Sequence, residues 1–412
     1  MSTGLTGQAL RRYRWSFLGP VATQWLAATV VTMMVTTNGS LTHISPAARR
    51  TVEAADIPAA TVAFAVIAVY MSILIVGVTM NSAIAAQARD IALLRAVGAT
   101  PGQVRRSVAL QAGIVAVPAA VLGYLTGLLA GRMWVAALVG HAVLPGEVRF
   151  HPDPAVLPLA VGVAAGTSVV GALVAAIRPS RVRPATALTE TATRRRRGGV
   201  VRTVLGLAFL AGAVVLAVRL TDVPPDRAAD AAFFVLLGQS VGIGLLGPVL
   251  LHAASVAPAV LRLYRGLSGA LVPLVLAVAF AAVKLAMHTA DWMDYSGTAV
   301  YCAFAAVAAL NTFVTVLVGR RRDLAVVQLA GGTRGRVLGL VICEAVLVAV
   351  LALVLAGGVA ATTLLALPVR PYLPPAGLIA GIAATVALVA AGTVGPAAVL
   401  TRRRPIDAVQ AT

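Results

Sequence analysis

Four ionisable residues stand close together in an apolar part of the sequence: Lys284, His288, Asp291 and Asp294. Ionisable side chains inside a membrane-spanning helix are rare and usually functional, so this group predicts residues that contact a substrate or form a gate. The alternative is an interfacial role, because a lysine side chain can extend along its helix to the membrane surface, where tryptophan and tyrosine also anchor.

Lys284 also bears on whether the chain binds ATP through a phosphate-binding loop. It is the only lysine in the sequence, and it lies between Val283 and Leu285. A phosphate-binding loop requires a lysine directly after a glycine-rich turn, so this type of loop is excluded. The two cysteines lie in apolar runs, the five histidines are scattered, and no nucleophile stands beside a base. The sequence therefore predicts no catalytic residue, cofactor or metal site in this chain.

A pattern of charged and apolar residues occurs twice. The first copy runs from Arg89 to Thr100 as RDIALLRAVGAT, and the second runs from Arg322 to Thr333 as RDLAVVQLAGGT. The register continues without a gap, so that Gln111-Ala112 matches Glu344-Ala345. One copy alone is typical of a charged turn at a membrane surface, whereas two copies at equivalent places indicate a duplicated functional element. For Glu344 itself, a local pairing with Arg334 or Arg336 is a sufficient interpretation.

Each copy predicts a short amphipathic helix and a second helix that returns to the membrane. Helical spacing places Ile91, Leu94 and Val97 on one apolar stripe, and the equivalent residues of the second copy form another. Gly98 and Gly331 are placed to end the short helices in a left-handed conformation. The threonine two positions after each glycine is placed to cap the returning helix.

The elements that position these motifs are apolar helices. The chain has 412 residues, of which 59% are hydrophobic and 11% are charged, and this composition excludes an ordinary soluble enzyme. Stretches of about 20 apolar residues predict spans. We expect an all-α polytopic membrane protein with about ten spans, at Phe17–Thr37, Ile57–Asn81, Ser107–Gly131, Ala155–Ile177, Val201–Arg219, Ala231–His252, Ala270–His288, Gly297–Val318, Val337–Gly357 and Ala376–Leu400.

The arginines predict the orientation of these spans. Of the 33 basic residues, 25 fall on one side when the N-terminus is placed inside, as the enrichment of basic residues in cytoplasmic segments requires. This bias accounts for the net charge of +19 without nucleic acid. The spans then form a 4+2+4 arrangement: a first four-helix repeat at 1–190, two linking spans at 191–260 and a second repeat at 261–412. Both termini and both copied motifs lie in the cytoplasm.

The copied motifs resemble those of the FtsX-like permease family, the membrane half of type VII ABC transporters, which includes MacB and bacitracin-export permeases. The first copy matches the family pattern from Arg89 to Val104, and the second copy is looser. The resemblance implies that the short helices dock into grooves of a cytoplasmic ATPase and that ATP-driven closure moves the spans, a mechanism called mechanotransmission. The implied ATPase-coupling residues are Arg89, Asp90, Leu93, Leu94, Gly98, Arg322, Asp323, Val326, Val327 and Gly331.

The resemblance further implies two copies of a separate ATPase subunit, which would use ATP and Mg²⁺, for one permease chain in a bacterial plasma membrane. Family members usually carry a large extracellular domain, whereas this sequence predicts only short outer segments. That departure favours a small amphipathic cargo such as an antimicrobial peptide, an antibiotic or a lipid. The alternative function is a non-transporting signalling module that couples the ATPase to an envelope enzyme or a sensor kinase. Membrane lipids are expected partners in both cases, with the arginines Arg89 and Arg322 placed for lipid phosphate or for the ATPase.

Overall fold

The computed structural model describes residues 17–54, 57–177, 197–220, 232, 234–246, 258–286, 292–367, 372 and 374–401. Across these residues the chain is almost entirely α-helical and contains no strand. The all-α polytopic fold class predicted from the sequence is therefore confirmed. The chain divides into two compact units, which we call unit 1 (Met1–Ala192) and unit 2 (Thr193–Thr412).

The described part of unit 1 contains four long helices and two short ones. They are α1 (Leu18–Ser40), α2 (Pro46–Ala54), α3 (Ile57–Ala86), α4 (Ala88–Ala96), α5 (Pro101–Gly140) and α6 (Val156–Ala176). α1 packs against α3, α5 and α6, and α6 also packs against α3 and α5. The long helices thus form a four-helix bundle. The short α4 lies at one end of it, between the end of α3 and the start of α5, and we call this the α4 end of unit 1.

The described part of unit 2 repeats this arrangement after two preceding helices. Its helices are α7 (Arg197–Leu220), α8 (Phe234–Leu246), α9 (Pro258–Ala286), α10 (Trp292–Gly319), α11 (Arg321–Leu329), α12 (Arg334–Ala366) and α13 (Pro375–Leu400). α9 packs against α10, α12 and α13, and α13 also packs against α10 and α12. These are the same neighbours as in unit 1, with α9, α10, α12 and α13 in the places of α1, α3, α5 and α6.

The buried faces of α5 and α12 also correspond residue by residue. Six buried residues of α5 each have a buried counterpart in α12, 233 positions later in the sequence. The series are Val104, Val108, Ala112, Ala116, Ala119 and Gly123 in α5, and Val337, Val341, Ala345, Ala349, Ala352 and Ala356 in α12. The ungapped sequence register therefore continues as a shared packing face through about five turns of each helix.

Small residues allow α1 and α5 to approach closely within unit 1. Gly123, Gly127 and Gly131 recur at every fourth position of α5 and are buried. A Cβ atom placed on Gly127 would lie 2.6 Å from the Cβ of Thr32 and 2.8 Å from the carbonyl oxygen of Thr29. Close backbone contact of this kind is how helices associate in lipid, where dispersion forces and interhelical hydrogen bonds replace the hydrophobic effect.

Seven helices of the described residues are long and apolar enough to cross a membrane. They are Leu18–Ser40, Pro101–Gly140, Val156–Ala176, Arg202–Arg219, Tyr295–Leu317, Arg334–Ala366 and Pro375–Leu400, and each overlaps a predicted span. Helices also occupy the other three predicted spans, as α3, as the 13-residue α8 and as α9. The total of ten spans stays a prediction, as do the three-part boundaries at 190 and 260.

The helix α5 extends well beyond its predicted ends at both sides. α5 has 40 residues, or about 60 Å of helix, against a hydrocarbon thickness of about 30 Å. Its apolar side chains point outward along much of this length, and Leu122, Leu125, Leu129 and Met133 are each more than half exposed. Such a surface is unfavourable in water and is suited to lipid. The sequence predicted the apolar middle of α5 and missed the polar first six residues and the last nine residues, which follow Gly131.

Candidate functional site

The short helix α4 presents apolar residues on two sides at the α4 end of unit 1. Ile91 and Ala92 are buried, and Ile91 joins a core cluster that includes Met80 of α3 and Val104 of α5. Leu93 and Leu94 are exposed by 49% and 43%. The buried pair fixes α4 to the bundle, and the exposed pair leaves an apolar surface at its tip.

The equivalent helix α11 has the same division in unit 2. Leu324 and Ala325 are buried, and Leu324 joins a cluster with Leu317, Val337 and Val341. The next two residues, Val326 and Val327, are exposed by 52% and 50%. Both units therefore place an exposed apolar pair directly after a buried pair, at the same register of the repeat.

The residues of the apolar stripe predicted for these helices differ in exposure. Ile91 is buried, whereas Leu94 is exposed and Val97 is 90% exposed. In α11, Val327 and Ala330 are likewise exposed although Leu324 is buried. The reason is that each helix is only nine residues long, so a single turn packs on the bundle and the last turn extends past it. An exposed apolar tip is typical of an interaction surface.

Both short helices end in the same glycine-dependent motif. Gly98 has φ = 104° and Gly331 has φ = 93°, a left-handed conformation that costs a residue with a Cβ atom about 1–2 kcal/mol. The amide of Gly98 donates to the carbonyl of Arg95, and the amide of Ala99 donates to the carbonyl of Leu94. Unit 2 has the equivalent two bonds, which define a Schellman motif in each case. The predicted role of Gly98 and Gly331 as helix ends is confirmed.

We expect Gly98→Ala and Gly331→Ala each to destabilise the adjoining short helix by about 1–2 kcal/mol. A Cβ atom added to either glycine would have no neighbouring atom within 4 Å, so the cost comes from backbone conformation alone. Gly335→Ala is the matched control, because Gly335 lies in the first turn of α12 with an open surrounding and alanine favours helix there. Amide hydrogen exchange of α4 and α11 measures the effect. Equal exchange in the Gly331 and Gly335 variants would contradict it.

The threonine two positions after each of these glycines caps the long helix that follows, as predicted. Thr100 accepts a hydrogen bond from the amide of Gln103 at 3.3 Å, and the Gln103 side chain accepts one from the amide of Thr100 at 2.9 Å. This reciprocal pair is a capping box. Thr333 accepts from the amide of Arg336 at 3.3 Å. The caps fix the direction in which each long helix leaves the tip.

Two further side-chain pairs, which the sequence did not single out, join the tip to the long helices. In unit 1, Nε2 of Gln87 donates to Oε1 of Gln111 at 3.2 Å. In unit 2, the guanidinium of Arg320 donates two hydrogen bonds to the carboxylate of Glu344, at 2.7 and 3.0 Å. The partner of Glu344 is therefore Arg320 rather than Arg334 or Arg336, because Glu344 sits about two to three turns along α12 from them and faces the end of α10.

The structure describes the charged coupling candidates only in part. Asp90 lies in the first turn of α4, where a carboxylate favours the positive end of a helix dipole. The side chains of Arg89, Arg322 and Asp323 lie outside the described residues, although their backbones belong to α4 and α11. The apolar members of the predicted set, Leu93, Leu94, Val326 and Val327, are thus the ones whose exposure is established.

In the second predicted group, around Lys284, the structure describes the side chain of Lys284 alone. Lys284 lies near the end of α9 and is only 3% exposed, with its Nζ atom 5.7 Å from the ring centroid of Phe280. A lysine anchoring at a membrane surface would extend further outward, so burial disfavours the interfacial alternative. His288 and Asp291 lie outside the described residues, and so does the side chain of Asp294.

At the end of unit 1 opposite α4, two histidines from distant parts of the chain come together. The rings of His43 and His151 stack with centroids 4.6 Å apart, although the sequence suggested that the histidines are scattered. Ser45 also donates to Glu147 through both its amide and its hydroxyl, at 3.1 and 2.7 Å. No group of three metal-binding side chains occurs in the described part of the chain. These contacts link the α1–α2 connection to the α5–α6 connection.

Comparison with protein families gives a match over part of the chain. The family model for the FtsX-like permease C-terminal domain matches residues 62–184. This range contains most of α3, all of α4, α5 and α6, and the first copied motif. No curated protein matches the chain.

Proposed function

We propose, on the premise that residues 62–184 match the FtsX-like permease C-terminal domain, that this chain is the membrane subunit of an ATP-driven ABC exporter. The observation that carries the proposal is the pair of short helices, each of which presents two exposed apolar side chains at the same register. A permease of this family works with an ABC ATPase, and an exposed apolar tip is the chemistry that an ATPase groove requires. Transport would follow from helix movement driven by the partner.

We further propose that one chain provides two ATPase docking sites. The shared helix neighbours of units 1 and 2, and the matching buried faces of α5 and α12, support a duplicated architecture. Two sites in one chain would bind two copies of a cytoplasmic ATPase subunit. ATP and Mg²⁺ would then be used by those subunits, and this chain would bind neither.

The orientation in this proposal follows from the arginines. The α4 and α11 ends carry Arg95, Arg105, Arg106, Arg334 and Arg336 among their described residues, and cytoplasmic ends of spans are enriched in arginine. We place both of these ends, and both termini, in the cytoplasm of a bacterial cell. The connections that carry His43 and His151 then lie outside.

The proposed cargo is an amphipathic compound such as an antimicrobial peptide, an antibiotic or a lipid. One support is the length of the described α1–α2 and α5–α6 connections, which are too short to form a domain that could bind a bulky cargo. The other is the apolar surface that the long helices expose. The buried cation Lys284, with His288, Asp291 and Asp294 following it, is the proposed substrate or gate group. Movement of the spans, rather than an aqueous channel, would displace the cargo.

The experiment is reconstitution of the chain in nanodiscs with an ABC ATPase subunit from the same genome. We expect co-purification, ATP hydrolysis stimulated by the permease, and further stimulation by a member of a panel of cationic peptides, peptide antibiotics and phospholipids. Failure of the ATPase to bind would contradict the permease assignment. The alternative signalling function would be favoured by a different result. In that case the ATPase binds, no panel member changes its hydrolysis rate, and the complex activates a sensor kinase or a cell-wall hydrolase.

A further inference from the structure

The residue that begins each short helix bonds to the following long helix. Gln87 is the N-cap of α4 and Arg320 is the N-cap of α11, and neither side chain caps its own helix. Gln87 instead bonds Gln111 of α5, and Arg320 bonds Glu344 of α12, and the partners are 24 positions apart in each case. The same connection therefore exists at the same register in both units.

The connection matters because the other end of each short helix already joins the long helix. That second junction is the turn through Gly98 or Gly331, where the glycine backbone is left-handed and an added Cβ atom would meet no atom within 4 Å. Between the two ends, the buried pair of each short helix packs on the bundle. The bond from the N-cap residue adds a polar link at the start of the short helix, so the short helix is joined to the long helix at both ends and the two move as one body.

The chemistry of the two connections differs. Gln87 and Gln111 are 5% and 4% exposed and share one neutral hydrogen bond. Arg320 and Glu344 share a bidentate ion pair, with side chains 40% and 28% exposed. Charge-assisted hydrogen bonds are roughly twice as strong as neutral ones, although partial exposure and salt weaken an ion pair. The connection in unit 2 is therefore the stronger one at low salt and the more salt-sensitive one.

The Arg320–Glu344 pair also borders a small cavity. Phe313, Val341 and Thr393 line a partly open space of about 30 Å³ next to both charged side chains, which is large enough to hold a water molecule. Residues of α10, α12 and α13, most of them apolar, thus lie on one side of the pair. The pair therefore lies between the start of α11 and these three helices.

We propose that Arg320–Glu344 and Gln87–Gln111 are positioning pairs that pass movement of the short helices to α12 and α5. This inference rests on the proposed function, because it assigns the residues through which an ATPase docked on α4 and α11 would move the spans. The pairs bind no nucleotide or cargo themselves. Glu344→Gln removes the ion pair in unit 2, Arg320→Gln with Glu344→Gln installs the neutral pair of unit 1, and Arg320→Glu with Glu344→Arg reverses the charges.

The first test uses the permease alone in nanodiscs and measures amide hydrogen exchange of residues 324–330. We expect Glu344→Gln to accelerate exchange by about fivefold to tenfold, because a charge-assisted bond is lost while Arg320 keeps its charge. The double glutamine variant should return exchange to within about twofold of the parent chain, since a neutral hydrogen bond replaces the pair. Added salt should accelerate exchange in α11 and leave α4 unchanged. Exchange in α11 that neither Glu344→Gln nor salt alters would overturn the proposal.

The second test measures transmission in the complex with the ATPase. A cysteine is introduced by Leu365→Cys, at the far end of α12 where the side chain is 86% exposed, in a chain with Cys302→Ala and Cys343→Ala. We expect ATP with vanadate to change the maleimide labelling rate of this cysteine at least threefold, and Glu344→Gln to remove most of that change while the ATPase still co-purifies. The charge-reversed pair should restore it. An unchanged nucleotide response in Glu344→Gln would overturn the transmission role.

The two tests separate failure of this inference from failure of the proposed function. If no ATPase binds the parent chain, the proposed function fails and the positioning role fails with it, whatever the exchange data show. If the ATPase binds and drives labelling changes that ignore Glu344, the proposed function stands and the inference fails. Retained co-purification of the ATPase shows that the Glu344→Gln variant is folded, so loss of the labelling response in that variant distinguishes a positioning pair from residues that are needed only for folding.

Discussion

Replacing Leu94 and Val327 together by aspartate is expected to abolish recovery of the ATPase with the permease. Both side chains are exposed in the last turn of their short helices, so the substitutions leave the bundles intact. Burying a leucine or a valine contributes about 1.5–3 kcal/mol, and a buried unpaired carboxylate adds a further penalty. We expect the affinity for the ATPase to fall at least about a hundredfold, which corresponds to about 2.8 kcal/mol. Co-purification of the ATPase and stimulation of its hydrolysis rate measure this loss of affinity.

The matched control keeps the apolar chemistry at the same positions. Leu94→Met with Val327→Ile should bind the ATPase within about threefold of the parent chain, because volume and polarity are nearly conserved. The two single aspartate variants should each retain one docking site and give intermediate recovery. Full recovery of the ATPase with the double aspartate variant would show that the tips of α4 and α11 are not its binding surface.

Gly127→Leu is expected to have the largest effect on the stability of unit 1. The new side chain would meet Thr32 and the backbone of Thr29, which a Cβ atom alone already approaches to 2.6 and 2.8 Å. Because backbone cannot give way as a flexible side chain can, α1 and α5 would have to separate. Overpacking of a helix interface costs about 3 kcal/mol, and we expect the midpoint of thermal unfolding in detergent to fall by about 6–12 °C.

Gly162→Leu is the control for this substitution. Gly162 also lies inside a long helix of unit 1, but a Cβ atom there has no neighbour within 4 Å. Leucine should be tolerated, with a gain in helix propensity of up to about 0.8 kcal/mol. Equal melting temperatures for the Gly127 and Gly162 variants would contradict the close packing of α1 on α5.

The sequence predicted those parts of the fold that depend on local chemistry. Apolar runs predicted helices at all ten expected places because a lipid-facing helix needs an apolar surface on every turn. The helix ends at Gly98 and Gly331 and the caps at Thr100 and Thr333 were predicted because each uses backbone conformation and hydrogen bonds within a few residues. The length of α5 was not predicted, since its first turns are polar and Arg132 interrupts the apolar sequence before its last turns.

The parts that the sequence could not predict depend on contacts between distant residues. The Gln87–Gln111 and Arg320–Glu344 pairs require the packing of α4 and α11 against the long helices, which composition does not specify. The division of the stripe into buried and exposed residues was not predicted for a related reason: in a helix of nine residues, the position of the bundle edge decides which apolar residues are buried. His43 and His151 meet only because two connections fold towards each other.

The most direct test of the central claim is site-specific photocrosslinking from the two tips. A photoreactive amino acid replaces Val97 in one variant and Leu329 in another, since these side chains are 90% and 54% exposed at the ends of their short helices. A third variant carries it at Tyr372, at the opposite end of unit 2 where the backbone amide bonds Ala286. Irradiation of the reconstituted complex should join the ATPase to positions 97 and 329 and leave position 372 unreacted. Crosslinking of the ATPase at neither tip would contradict the assignment of α4 and α11 as its docking sites.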